Sequence, residues 1–286
     1  MSPGAIAQLA CVLEVTARKP GNVHRFADFA DAGYLDFLLS AQVIVGPLNQ
    51  ARELGIGRTV LECVKATQRL ISTNTNLGII LLLAPLACVP EGERLQDGLA
   101  SVLSATTVDD ARNVYEAIRL MRPGGLGSAE KQDIHHDPTV TLVGAMRIAS
   151  DRDAIARQYV TTFADIFDIA VPALKDSVSA GRSWETAVVF THLTLLSRLP
   201  DTLIARKRGG PEAKIASVLA KDVLESGWPD REEGVTRFRS LDAWLREVGH
   251  ARNPGATADL VAAALFAALR DGTIVFPLKT EVLDLF

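Results

Sequence analysis

An excess of positive charge is missing from this sequence, in which 30 Lys and Arg residues stand against 34 Asp and Glu for a formal charge of -4. Binding a phosphate backbone needs a basic face, so nucleic acid is excluded as the main partner. Cysteine is scarce as well. Cys11, Cys63 and Cys88 lie far apart in apolar surroundings, without the close spacing of a zinc or dithiol motif, which reads as three buried free thiols in a reducing compartment. No hydrophobic run is long enough for a bilayer: the most apolar stretch, Leu77 to Val89, falls short of the roughly 20 residues that a span needs. The start Met1-Ser-Pro-Gly-Ala lacks the basic residues of a secretory signal. Both features point to the cytoplasm. There is no P-loop, no dinucleotide-binding fingerprint and no His-Glu-x-x-His zinc helix.

What is present is helical periodicity. Apolar residues recur at three- and four-residue spacing in Tyr34, Phe37, Leu38, Ala41, Val45 and Leu48, again in Val108, Ala111, Val114, Ile118 and Met121, and again in Val235, Phe238, Leu241, Leu245 and Val248. No alternating strand pattern competes, so the expected fold is all-α, a single large multi-helix domain over residues 1–286. Thr107 with Asp110 forms a capping box, and Ser150 or Asp151 is placed to cap the helix before Ala154. The Gly-rich stretch 122–138 is the one candidate loop or linker. Two segments, Leu77 to Val89 and Ala258 to Leu269, are apolar on every face and must be surrounded by protein. Few charges interrupt Trp184 to Leu199, which suits a buried helix or the surface of a homodimer.

Each all-apolar helix starts in small polar residues, Thr73-Asn74-Thr75-Asn76 before Leu77-Gly78 and Asn253-Pro254-Gly255-Ala256-Thr257 before Ala258. A helix N-terminus offers unpaired N–H groups and partial positive charge, hence a seat for an anion, although Asn and Thr serve equally as plain caps. Near the start, Glu14 is followed by Arg18-Lys19-Pro20-Gly21-Asn22-Val23-His24-Arg25, and Asp28, Asp31 and Asp36 come soon after. A cationic loop beside carboxylates suits a polyphosphate carrying Mg²⁺, which takes one or two carboxylates and fills its sphere with phosphate oxygens. A second cationic cluster, Arg206-Lys207-Arg208 with Asp201 upstream, offers phosphate contacts or an ordinary helix C-terminus. His192 follows Val188 by four residues on an apolar helix face and is expected to be a core histidine with satisfied nitrogens.

Taken in order, Glu14 with Lys19-Pro20-Gly21, Ser40 after Asp36, Asn74-Thr75 with Gly78, Asp201 with Arg206, and Asn253-Pro254-Gly255 with Ala258-Asp259-Leu260 make the chain resemble the triphosphoribosyl-dephospho-CoA synthase family over most of its length. The resemblance implies an all-helical enzyme that joins ribose C1 of ATP to a ribose hydroxyl of 3'-dephospho-CoA and releases adenine. It implies Glu14, Asp36 and Asp259 as catalytic carboxylates. It implies Lys19, Gly21, Asn22, His24, Ser40, Asn74, Thr75, Asn76, Gly78, Arg206, Lys207, Asn253, Gly255 and Thr257 as substrate-holding residues, and Asp36 and Asp201 as carriers of Mg²⁺. Where the family's pattern reads Asn-Thr-His-Lys-Gly, this chain has Asn74-Thr75-Asn76-Leu77-Gly78, and Lys-Pro-Gly-Leu-Val-Asp becomes Lys19-Pro20-Gly21-Asn22-Val23-His24. These changes are similar to the branch found in methanogens and methylotrophs. A transferase of methanopterin or methylofuran biosynthesis and a non-catalytic nucleotide-binding or assembly protein therefore stand beside the named reading.

Overall fold

Segments with one apolar stripe, or with none but apolar faces, can be buried only against one another, and the chain solves this with helices throughout. The computed structural model describes residues 1–121 and 134–280, and among these there is no strand, only an isolated bridge between His24 and Ala27. Most of the expected loop at 122–138 lies outside the described residues; its end, 134–138, is turn and irregular backbone. The helices fall into two compact units.

The first unit comprises Met1–Val12 and Leu35–Ala164. It holds the start of α1 (Pro3–Thr16), then α2 (Tyr34–Val43), α3 (Val45–Asn49), α4 (Ala51–Gln68), α5 (Leu77–Cys88), α6 (Leu95–Ser104), α7 (Val108–Met121), α8 (Leu142–Ala149) and α9 (Ala154–Thr161). The crossing of α4 on α7 depends on Gly57. A Cβ there would sit 2.4 Å from Asp110 Cα, so only glycine lets the two backbones approach this far. Gly57 N donates to Asp110 Oδ1 at 2.8 Å. The same Asp110 closes the expected capping box with Thr107. At α9 the cap is Asp153, which accepts from the N–H groups of Ile155 and Ala156, rather than Ser150 or Asp151.

Helix α5 is buried along nearly its whole length, as its uniform apolarity requires. It also carries Pro85, which has no N–H to give to the carbonyl four residues back. That carbonyl belongs to Leu81, and the buried Tyr159 hydroxyl donates to it at 2.6 Å. Burial, with Cys88 and Asp110 nearby, pushes the Tyr159 phenol far up, so the proton that makes this bond stays in place. A side chain from α9 thus repairs the break that the proline makes in α5.

The second unit comprises Leu13–Tyr34 and the chain from Asp165 onward. It holds the end of α1 with its following loop, a π-helical turn (Asp165–Ala170), α10 (Val171–Ser179), α11 (Trp184–Arg198), α12 (Thr202–Arg208), α13 (Gly210–Glu225), α14 (Glu232–Arg246) and α15 (Gly255–Arg270). Helix α15 is the second uniformly apolar helix, buried from Ala256 to Leu269 except at Asp259. No helix of the described residues is long and apolar enough to cross a membrane.

Candidate active site

The first half of the loop after α1, residues 17–24, is buried, so each of its polar atoms needs a partner. Lys19 is fully buried and its ammonium is saturated locally. It pairs with Glu14 Oε1 at 2.9 Å and donates to the carbonyls of Glu14 and Ala17. Burial raises the Glu14 carboxyl above its ordinary value, and the neighbouring Lys19 charge opposes the rise. Arg18 is equally buried and gives Nε and Nη2 to Glu185 at 2.9 and 3.0 Å, while its backbone N–H donates to Glu185 Oε1. Arg25 completes the arrangement, giving Nη2 to Glu185 Oε2 at 2.9 Å and Nη1 to the Thr16 carbonyl. Burial would raise Glu185, but the hydrogen bonds from the two arginines outweigh it and hold the carboxyl low.

The turn at Gly21 is pinned from α14. Gly21 has φ +73°, a left-handed value that a side chain resists, and a Cβ there would meet Leu245 Cβ at 2.7 Å. Its N–H donates to Asp242 Oδ1 at 2.7 Å; Arg246 bridges Asp242 and the Asn22 carbonyl. The Asn22 side chain reaches Asn253, donating from Nδ2 to Asn253 Oδ1. His24 Nδ1 accepts the Phe26 N–H at 3.2 Å, which fixes the proton on Nε2. Burial and the surrounding Arg246, Lys19, Arg18 and Arg25 charges lower His24 to about 3.

A group whose folded pKa is lowered binds its proton more readily when unfolded, so its contribution to stability is complete above about pH 6.5 and is lost as pH falls toward about 3. The thermal midpoint is therefore expected to drop across that window. His24→Gln, which keeps hydrogen-bonding capacity without titrating, flattens that part of the profile; an unchanged profile in the variant refutes the assignment.

Asn253 leads into α15, and here Asp201 does most of the organising. Its Oδ1 accepts from Leu203 N and Ile204 N, capping α12, and its Oδ2 accepts from Thr257 N and Oγ1 at 2.7 and 2.8 Å. Burial raises its pKa and these hydrogen bonds from Thr257, Ile204 and Leu203 oppose the rise. One carboxylate thus joins the starts of two helices. A Cβ on Gly255 would lie 2.6 Å from Leu203 Cδ2, so the chain passes close to α12 at that point. Lys207 donates to the His250 carbonyl at 3.4 Å, Arg206 is exposed, and Asp259 sits half-buried on α15. Burial, then the Arg206 charge, lowers Lys207, against Asp31 and Asp201.

The remaining sequence candidates sit in the first unit. Ser40 donates to the Asp36 carbonyl at 2.7 Å, which makes Thr75 the donor in the 2.6 Å bond between their hydroxyls. Asn74 accepts the Leu77 N–H at 3.2 Å, capping α5, and Asn76 is buried against Thr67. Gly78 lies in the first turn of α5 and Asp36 in the first turn of α2. The structure therefore gathers the candidates into two groups, Glu14, Lys19, Gly21, Asn22, His24, Asp201, Arg206, Lys207, Asn253, Gly255, Thr257 and Asp259 in one unit and Asp36, Ser40, Asn74, Thr75, Asn76 and Gly78 in the other.

Residues 1–275 match the family model described as ATP:dephospho-CoA triphosphoribosyl transferase. The chain belongs to this family. Among similar members, a probable 2-(5''-triphosphoribosyl)-3'-dephosphocoenzyme-A synthase of Malonomonas rubra is 26% identical over 291 residues, covering 93% of this chain and 86% of the relative. The 2-(5''-triphosphoribosyl)-3'-dephosphocoenzyme-A synthase of Pectobacterium atrosepticum is 26% identical over 245 residues, 83% of this chain and 70% of the relative. A crystal structure of an Archaeoglobus fulgidus protein described as a triphosphoribosyl-dephospho-CoA synthase superposes with a TM-score of 0.65 at 26% identity, covering 82% of this chain and 99% of its own. At the two positions where the transferase family's pattern has His and Lys, Asn76 is held against Thr67 and Leu77 is in the core.

Sequence reasoning missed Glu185, Asp242 and Arg246 in this transferase. Glu185 reads locally as an ordinary acidic residue in the first turn of a helix, and Asp242 with Arg246 as an exposed i,i+4 pair. His192 corrects the expectation in another way. It is fully buried, as the periodicity requires, yet neither ring nitrogen has a hydrogen-bond partner among the described residues. Burial, with Lys19 nearby, keeps it far below its ordinary pKa and neutral.

Proposed function

We propose that the chain transfers the 5''-triphosphoribosyl group of ATP to a ribose hydroxyl of 3'-dephospho-CoA and releases adenine. What carries the reading is that the family match spans residues 1–275 and that Asn22, Asn253, Asp201 and Thr257, distant in sequence, are joined at the start of α15. In the reaction the bond from ribose C1 to the purine nitrogen breaks, the acceptor oxygen bonds to C1, and the proton that the hydroxyl loses is balanced by the one that the leaving adenine nitrogen gains. The cation that develops at C1 is stabilised by carboxylates, as in glycoside chemistry. Asp259, half-buried on α15, serves that purpose. Glu14, held in a buried pair, acts with Lys19 and Asp201 to hold the frame.

The intact triphosphate is gripped at the start of α15 and by Arg206. The donor enters as its Mg²⁺ complex. Both Asp201 oxygens already accept hydrogen bonds, and no group of three or more His, Cys, Asp and Glu that could hold a metal ion occurs among the described residues. An ion that brings phosphate oxygens and water with it needs few protein carboxylates.

Pure protein with ATP, Mg²⁺ and dephospho-CoA is expected to liberate free adenine in step with product, measured by chromatography. Absence of adenine with this acceptor, while a panel of pterin or furan acceptors supports turnover, reassigns the second substrate.

A further inference from the structure

Of the aromatic side chains among the described residues, only Phe26 and Phe276 are exposed. Phe26, 69% exposed, stands in the loop that the site is built from. Its backbone is fixed on both sides: its own N–H goes to His24 Nδ1, and His24 and Ala27 exchange backbone hydrogen bonds at 3.0 and 2.9 Å around it. The ring is fixed too. The Arg25 guanidinium carbon lies 4.9 Å and that of Arg18 5.8 Å from the ring centroid, and both cations are tied to the single carboxylate of Glu185. A ring so exposed and so braced has an open face that its own chain does not cover.

We infer that Phe26, held by the His24–Ala27 turn and backed by the Arg18–Glu185–Arg25 cluster, is a stacking platform for the purine base of a nucleotide substrate. A guanidinium on one side draws ring electron density toward itself and leaves the outer face suited to an electron-rich base. Aromatic stacking tolerates any base and needs no hydrogen-bond partners. The inference rests on the proposed reading for the identity of the nucleotides. Both ATP and dephospho-CoA carry adenine, and the test separates them.

Phe26→Trp puts a reporter on the platform, with the wild-type protein correcting for its three tryptophans. Titration with ATP or with dephospho-CoA, without turnover, is expected to change the added emission, while inorganic tripolyphosphate leaves it unchanged. The nucleotide that produces the change is the one that stacks. In binding assays Phe26→Ala and Phe26→Leu are both expected to weaken that nucleotide about tenfold or more, the scale of stacking on one aromatic ring, with tripolyphosphate affinity intact. Emission that responds to neither nucleotide, or equally to tripolyphosphate, overturns the platform, as does wild-type affinity in Phe26→Leu. Emission that responds in a protein releasing no adenine leaves the platform standing and refutes the proposed reaction alone.

Discussion

Replacing Glu14 with glutamine is expected to lower the unfolding free energy by about 3–5 kcal/mol, the usual result of removing one partner from a buried ion pair. The reason lies with the survivor. Lys19 is fully buried and Glu14 Oε1 is its only anionic contact at 2.9 Å among the described ion pairs; the other acceptors are the Glu14 and Ala17 carbonyls. Glutamine leaves the ammonium in a low-dielectric site with nothing to balance it. At the scale of this chain the thermal midpoint falls by about 10 °C. A second variant identifies the cause: Glu14→Gln combined with Lys19→Met removes both charges and regains part of the lost stability, because apolar residues of similar volume replace a buried pair at little cost. If the single variant melts within 2 °C of wild type, at roughly 0.5 kcal/mol, the pair is not structural.

Asp201→Ala is expected to be comparably severe, at about 3 kcal/mol, and to do more harm to catalysis. Four hydrogen bonds end on this buried carboxylate, a helix cap alone is worth about 1 kcal/mol, and bonds to a charged acceptor exceed neutral ones. Its removal frees the start of α12, which carries Arg206, and the start of α15, which begins at Gly255 just after Asn253. Adenine release is expected to fall by a hundredfold or so, since misplacing groups by about 1 Å costs that much. Asp201→Asn keeps one acceptor and retains the α12 cap but loses strength at Thr257, so it falls between. Chemical denaturation and adenine release on the same samples check both effects; full activity in Asp201→Ala shows that the two helix starts do not shape the site.

Local signals predicted much of this. Helical spacing identified the elements, uniform apolarity picked out α5 and α15 as buried, and Thr107 with Asp110 closed as a capping box. Asp201 and Asn253 are visible in the sequence as motif residues; what it does not show is that the Asp201 oxygens accept from backbone and threonine donors. What escaped were pairings across long stretches of chain. Nothing near Glu185 announces Arg18, and nothing near Asp242 announces Gly21. Periodicity tells which way His192 faces but not whether its nitrogens find partners. Nothing in the sequence around Pro85 announces the Tyr159 hydroxyl that covers the carbonyl it strands.

The bonds that fix the loop after α1 also set a timetable for the nascent chain. Arg18 waits for a residue 167 positions later, Gly21 for one 221 later and Asn22 for one 231 later. Closing spans of that size delays the contacts that depend on them. During synthesis, Arg18, Gly21 and Asn22 have left the ribosome long before these partners exist, and Arg18 must meanwhile stay hydrated. The opening loop is thus completed only near the end of synthesis, and a ribosome stalled before Asn253 holds a chain in which the Asn22 side chain still lacks that partner.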